Sequence, residues 1–235
     1  MTFIVKLILN FFDYFTEKKI NKILLEHLNN KPVNIIDIGS HKGEYINKSL
    51  KKFNINKIHA FEANPKVFKL LSRKFSKNFK VILNNLGVGD KSEKINLFSN
   101  IETSSSTFNT LNEKSNYFKK KYLILNFFKK KISTPVLVSI IKLEDYIKAK
   151  KLIEIDLLKI DTEGYEYKVI KGIGNEIQNI KLIHLEHHFD DMIIKNYTLS
   201  DIHRYLTNKG FKKIFKIKMK FRKSFEYIYQ NQLNK

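Results

Sequence analysis

Five short apolar runs, each closed by a glycine or a carboxylate, constrain this chain more than any other feature. Val33, Ile35, Ile36 and Ile38 end at Gly39. Lys57 to Phe61 ends at Glu62, Lys80 to Leu86 at Gly87, Leu157 to Ile160 at Asp161, and Lys181 to Leu185 at Glu186. A short, nearly unbroken apolar run fits a strand buried on both faces. Helical patterns over 44–53, 65–75, 165–171 and 199–208 separate them, with Pro65 suited to a first turn and Gly210 to a stop. Strand–helix alternation with short connections is the pattern of a parallel, doubly wound sheet. Phe211–Ile217 and Phe225–Tyr229 are separated by about seven residues with no helix, which predicts a hairpin and an antiparallel edge.

The 235 residues suffice for one full core, so a single domain over 1–235 is expected. An N-terminal helix over about 3–29 precedes it. Its most apolar part, Thr2 to Phe15, is interrupted by Lys6, Asn10 and Asp13 and falls short of the roughly 20 apolar residues of a spanning helix. A helix packed on the domain and an interfacial helix lying on lipid both fit. No small-residue cleavage site follows, so a cytoplasmic protein is expected, with peripheral contact at the inner membrane face left open. Strands are expected at Lys94–Ser99 and Val136–Ile140 and a helix at Leu143–Lys150. Between them, an insertion over about 102–133 carries Lys119-Lys120-Lys121 and Lys129-Lys130-Lys131 around Tyr122-Leu123-Ile124-Leu125, with helix expected inside it.

The absence of cysteine excludes disulfides, thiolate metal sites and a cysteine nucleophile. With 44 Lys and Arg against 23 Asp and Glu, the net charge is +21. Such a field attracts phosphates, anionic lipids or acidic glycans. The chain is also rich in Lys, Asn and Ile, and a compositional drift toward A/T-rich codons gives the same excess.

The chemistry gathers at the ends of the runs. Asp37-Ile38-Gly39-Ser40-His41-Lys42-Gly43 follows the first strand. Gly39 suits a tight turn, and Gly43 a helix that starts close to a ligand. Glu62, at the end of the second strand, suits both hydroxyls of a ribose, which places a nucleoside across the strand tips. The glycine spacing differs from the dinucleotide fingerprint Gly-x-Gly-x-x-Gly. Asp37, two residues before the first glycine, suits a positively charged cofactor better than a pyrophosphate. S-adenosylmethionine is such a cofactor; a nicotinamide-dependent reductase is the rival enzyme, and a basic module binding nucleic acid or lipid, with a vestigial pocket, the rival of another class. Asp161 and Glu163 lie at the fourth strand tip and His184-Leu185-Glu186-His187-His188 at the fifth. Asp161 and Glu163 also fit acidic residues capping a helix, and His184 a buried strand histidine. Adjacent His residues on an extended chain point to opposite faces, so no metal site is expected.

Residues 34–43, His59-Ala60-Phe61-Glu62-Ala63-Asn64-Pro65, Asn85-Leu86-Gly87-Val88-Gly89-Asp90 and Leu158-Lys159-Ile160-Asp161-Thr162-Glu163-Gly164-Tyr165-Glu166 resemble the successive motifs of the FkbM methyltransferase family. The resemblance runs from about residue 33 to about 217 and departs at Ser40-His41, where the family usually has Ala-Asn. It implies the Rossmann-like class I methyltransferase fold: a three-layer sandwich around a seven-stranded, mostly parallel sheet with an antiparallel hairpin. It also implies O-methylation of a sugar, glycan or other hydroxylated metabolite. On this reading Asp37, Gly39, Ser40 and Gly43 hold the methionine end of S-adenosylmethionine and Glu62 and Ala63 the ribose. Asn85 and Leu86 border the adenine. Asp161 lies nearest the methyl, and Asp161, Glu163, Glu186 and His187 are the candidates for acceptor binding or proton removal. The expected partner is a hydroxylated acceptor, with an anionic glycan or lipid-linked sugar suggested by the basic insertion; nucleic acid is not expected.

Overall fold

The structure, a computed structural model, describes residues 2–28, 31–99, 106–110, 112, 114–116 and 135–233. Helix α1 (Thr2–Leu28) leads into β1 (Val33–Ile38), α2 (Glu44–Lys52), β2 (Ile55–Phe61), α3 (Pro65–Phe75) and β3 (Val81–Asn84). Then come β4 (Gly87–Gly89), β5 (Glu93–Ser99), β6 (Ser106–Thr107), β7 (Val136–Lys142) and α4 (Leu143–Lys150). The chain continues through β8 (Ile155–Ile160), α5 (Glu166–Lys171), a 3-10 turn (Gly174–Asn179), β9 (Ile180–His188), α6 (Leu199–Asn208), β10 (Phe211–Lys218) and β11 (Ser224–Asn231).

Seven strands form the main sheet in the order β10-β11-β9-β8-β1-β2-β3. β3, β2, β1, β8 and β9 run parallel. β11 is antiparallel to both its neighbours, so the terminal hairpin inserts its second strand between β9 and β10. β1 and β8 are central, and every residue of β8 is buried. This is the mostly parallel three-layer fold of class I methyltransferases.

Alternation along the strands divides two cores. Ile36, Ile38, Leu158, Ile160, Ile183 and Leu185 pack with α4, α5 and α6. Val33, Ile35, Leu157, Leu182 and Ile228 face α1, α2 and α3, meeting Ile20, Leu24, Ile46 and Leu71. The parity that sends Ile35 and Leu157 toward α1 also sends Asp37 and Lys159 there, and on β9 it sends His184, Glu186 and His188. The charged residues are thus the last side chains of one sheet face, where the core meets the strand tips.

The third strand is shorter than its apolar run. It ends at Asn84, whose side-chain amide donates to the Ala60 and Ile82 carbonyls (3.1 and 3.4 Å). The chain then leaves the main sheet, and β4 pairs with β7 in a second, four-stranded sheet ordered β4-β7-β5-β6. The helix expected inside the insertion and both lysine triplets lie outside the described residues. Where the insertion is described it is pinned to the core: Thr107 Oγ1 donates to the Glu163 carbonyl (2.8 Å) and the Asn109 amide to that of Gly164.

Candidate active site

The turn after β1 is built from backbone. Gly39 and Ser40 N–H groups both donate to the Phe61 carbonyl (3.0 and 2.9 Å), and Asp161 N–H donates to the Ile38 carbonyl (3.0 Å). These bonds draw the tips of β2, β1 and β8 together. Gly39 sits at φ +84°, and a Cβ there would lie 1.9 Å from the Asp161 carbonyl oxygen. His41 adopts φ +49°, a left-handed conformation open to few residues besides glycine and asparagine. Its N–H donates to Glu62 Oε2 (2.9 Å), while Asn64 N–H donates to Oε1 (2.8 Å). Glu62 is therefore oriented by two amides, each oxygen keeping a lone pair.

The tip of β8 is a second strained turn. Glu163 has φ +49° and Gly164 φ +96°. The Glu166 carboxylate bridges it, accepting from Gly164 N–H (2.7 Å) and Thr162 Oγ1 (3.2 Å), with the Tyr197 hydroxyl on its other oxygen. α5 begins at Glu166 behind Tyr165, so neither Asp161 nor Glu163 caps it. Strain of this kind persists only where surrounding contacts over-determine it, and it gathers at functional sites.

Between these turns lies a cavity of about 570 Å³. Asp37, Gly39, Ser40, Glu62, Ala63, Leu86, Asp161, Glu163 and Glu186 all line it. Three expected residues stay out of it. Gly43 is the left-handed residue before α2, and a Cβ there would strike the Phe75 ring and Leu71, so its small size serves helix packing rather than ligand approach. Asn85 turns its amide onto the Glu62 and Ala63 carbonyls (2.8 and 3.3 Å), holding the loop whose other face borders the cavity. His187 has the opposite parity from Glu186; it lies under Phe189 and Tyr197, and burial pushes its imidazole down to about 3. His188, two residues on from Glu186, takes the cavity position expected of His187.

Several lining residues escape a reading of local motifs. Ser106 and Phe108 come from the insertion. Asp13 and Glu17 of α1, Tyr45 of α2, and Arg222 and Glu226 of the terminal hairpin form the far wall. Arg222 Nη2 binds Asp13 Oδ2 at 2.6 Å across 209 residues of sequence. Lys159, His184 and His188, inside the motifs and in phase with Asp161 and Glu186, carried a period-two signal that could have found them.

Across the sheet, Asp37, Lys159 and His184 occupy one register row. Lys159 Nζ lies 3.2 Å from Asp161 Oδ2 and over the Tyr45 ring; His184 Nε2 is 2.9 Å from Glu226 Oε2. Burial works against the Lys159 charge, yet Asp161, Glu226, Asp37 and Glu186 together raise its pKa. Asp37 is 1% exposed, and burial pushes its carboxyl up to about 6 against the pull of Lys159. Its Oδ2 has no hydrogen-bond partner among the described residues. Burial likewise raises Glu62. Glu186 is raised by burial and by the neighbouring Asp161 and Glu226 charges. Burial opposes the charge on His188, but Asp190, Glu163 and Glu186 outweigh it and hold the ring up to about 10. His188 contacts Glu163 (3.4 Å) and Glu186 (3.6 Å) through Nε2 and Asp190 (3.6 Å) through Nδ1. It is a cation at neutral pH, which disqualifies it as a base.

Among lining residues, Asp and Glu outnumber Lys and Arg nine to three, in a chain of net charge +21. The cavity opposes the sign of the molecule. The orphaned, buried Asp37 oxygen and the amide-oriented Glu62 match a ligand with a cationic group at one end and vicinal hydroxyls further along, as S-adenosylmethionine has.

No curated protein matches the chain. In fold it is similar to a methyltransferase FkbM from Methylobacillus flagellatus (TM-score 0.55, 13% identity), covering 85% of this chain but 43% of that one. It is also similar to TrmK from M. capricolum, solved with the cofactor product S-adenosyl-homocysteine (TM-score 0.49, 12% identity, 89% of this chain and 67% of that one). The model of the methyltransferase FkbM domain matches residues 37–213, the span that runs from the end of β1 through both strained turns and the β9 carboxylate. With that match over about three quarters of its length, the chain belongs to the FkbM family of S-adenosylmethionine-dependent methyltransferases.

Proposed function

We propose that this chain transfers the methyl group of S-adenosylmethionine to a hydroxyl of a sugar, glycan or other small metabolite. The observation that carries the reading is the buried, unpartnered Asp37 oxygen at the head of an acidic cavity. Asp37 would hold the ammonium of the cofactor, Glu62 its ribose hydroxyls, and Leu86 and Ala63 would border the base. When bound, the cofactor supplies an electrophilic methyl group. The chain's own residues bring the acceptor oxygen into line at about 3 Å and take up its proton. Glu186 suits the role of proton acceptor by position, because it is buried and lines the cavity; burial and the Asp161 and Glu226 charges raise its pKa to about 8, so transfer should quicken as pH rises through that value. His188 lies closer to Glu163 (3.4 Å) than to Glu186 (3.6 Å), and Lys159 engages Asp161. The acidic wall favours a neutral or amine-bearing acceptor over the anionic glycan suggested by net charge. It also favours methyl transfer over nicotinamide reduction, since Asp37 would repel a pyrophosphate. Calorimetry with S-adenosylmethionine, S-adenosylhomocysteine and NAD tests the cofactor, and preference for NAD would end the reading. A radiolabelled-methyl screen over neutral, amino and acidic saccharides tests the acceptor.

Two results follow from the electrostatics. A cation binds Asp37 in its ionised form, so cofactor affinity should rise with pH up to about 6 and level off above, falling by up to about tenfold per pH unit below. Titration calorimetry from acid to neutral pH reads this, and Asp37→Asn should flatten the profile at weaker affinity; an unchanged profile would remove Asp37 from the ammonium site. For Asp161, the Asn variant should slow transfer by roughly a hundredfold while changing cofactor affinity far less, the pattern of a charge used in the transition state. Single-turnover rates beside binding constants separate the two, and a normal rate in Asp161→Asn would leave the residue a purely structural role.

A further inference from the structure

The outward face of α1 is apolar where a solvated helix would be polar. Phe11, Tyr14 and Phe15 are 58, 60 and 48% exposed, and Phe221, in the β10–β11 turn, is 69% exposed. They form one patch: Phe11 meets Phe15 and Phe12 edge-on (4.9 and 5.6 Å), and Phe12 meets Phe221 (5.2 Å). Single exposed hydrophobics are ordinary on a soluble surface, but a contiguous aromatic patch marks a place where something docks. The same helix face continues through Lys18, Lys19 and Lys22, all exposed, and Lys220 and Lys223 flank Phe221. Upstream, the helix sequence runs Phe3-Ile4-Val5-Lys6-Leu7-Ile8-Leu9. The inward face is accounted for by Ile20, Leu24 and Leu28 in the core. Among the described residues no helix is long and apolar enough to cross a membrane.

From this arrangement we infer that α1 and the β10–β11 turn dock the protein on the surface of an anionic phospholipid bilayer, aromatics in the headgroup boundary and lysines on the lipid phosphates. Charge complementarity selects this occupant. The cations bordering the aromatics would repel the same patch on a second copy of the chain and match a negatively charged leaflet. The patch also adjoins the cavity: Asp13 and Arg222, neighbours in sequence of Tyr14 and Phe221, line its far wall and bind each other. Docking would set that wall at headgroup level, the position for an acceptor carried on a lipid. Docking itself does not depend on the chemistry at the site, and its test reads binding alone.

The test is vesicle co-sedimentation of the full chain with phosphatidylcholine–phosphatidylglycerol vesicles and with pure phosphatidylcholine vesicles, over a salt series. Wild type should sediment with the anionic vesicles and release progressively with salt. The variant Phe11→Ser, Tyr14→Ser, Phe15→Ser, Phe221→Ser should bind them at least roughly tenfold more weakly while its circular dichroism stays unchanged. Lys18→Gln, Lys19→Gln, Lys220→Gln, Lys223→Gln should lose binding mainly at low salt, and the equal charge change at Lys66, Lys69, Lys91 and Lys94 should lose far less. Failure of wild type to bind anionic vesicles would overturn the inference. Sedimentation of the serine variant like wild type would also overturn it, since charge alone would then explain binding. So would a wild-type dimer that the serine substitutions dissociate without any vesicle binding, because the patch would then be an interface between copies.

Discussion

Replacing Lys159 by methionine should cost the fold about 3–5 kcal/mol at neutral pH, the scale of breaking a buried ion cluster by removing one partner. Lys159 is 6% exposed and has four carboxylates around it, on β1, β9 and β11 and in the turn after β8. Methionine fills the space but leaves Asp37, Asp161, Glu186 and Glu226 facing one another without a cation. Without the cation the raised pKa of Asp37 rises further and Glu226 loses part of the attraction that holds its pKa down, so the variant takes up protons on folding that wild type does not. Its stability should therefore fall with rising pH more steeply than that of wild type, and the deficit should shrink as pH drops and the carboxylates are neutralised. Denaturant unfolding at several pH values reads this directly. A deficit independent of pH would mean that Lys159 contributes through packing on Tyr45 and not through its charge.

The second large effect is expected at Gly39. A left-handed non-glycine residue costs about 1–2 kcal/mol. Here the added Cβ would also sit 1.9 Å from the Asp161 carbonyl oxygen, a backbone atom that cannot rotate away. Gly39→Ala must therefore part the tips of β1 and β8, stretching the Asp161 N–H to Ile38 bond. We expect a loss of about 3 kcal/mol and a cofactor affinity down by a hundredfold or more, because Asp37 and Asp161 lie on either side of the gap. Gly43→Ala is the control. It shares the left-handed strain (φ +79°), but its Cβ meets the ends of the Phe75 and Leu71 side chains, which can shift, and it stays outside the cavity. It should lose comparable backbone stability while binding cofactor nearly normally. Equal loss of binding in both would show that the whole turn, and not the β1–β8 junction, sets the site.

The amino-acid order alone determines the layered architecture and most of the cavity's lining at the strand tips. Runs such as Val33–Ile38 and Leu157–Ile160 can be satisfied only as central strands, and the residue that ends such a strand must lie at the sheet's carboxyl edge. That is why Asp37, Gly39, Glu62 and Asp161 could be placed from pattern alone. Period two puts Glu186 and His188 on one face of the strand and His187 on the other, but local sequence could not say which of these faces borders the cavity. His187 and His188 are equally suited in chemistry, and the register of β9 against β8 and β11 puts Glu186 and His188 toward the cavity and His187 under Tyr197. Nor could it distinguish a glycine needed for a ligand from one needed for a neighbour: Gly43 yields to the Phe75 ring, 32 residues away. The far wall belongs wholly to tertiary structure. Asp13 and Arg222 meet across 209 residues, and the aromatic face of α1 joins Phe221 only because β11 inserts between β9 and β10 and carries its turn back to the first helix. Periodicity reports the partners a residue needs within a few positions along the chain. Which distant side chains complete a cavity is decided by strand order and crossover, physical facts of the assembled sheet.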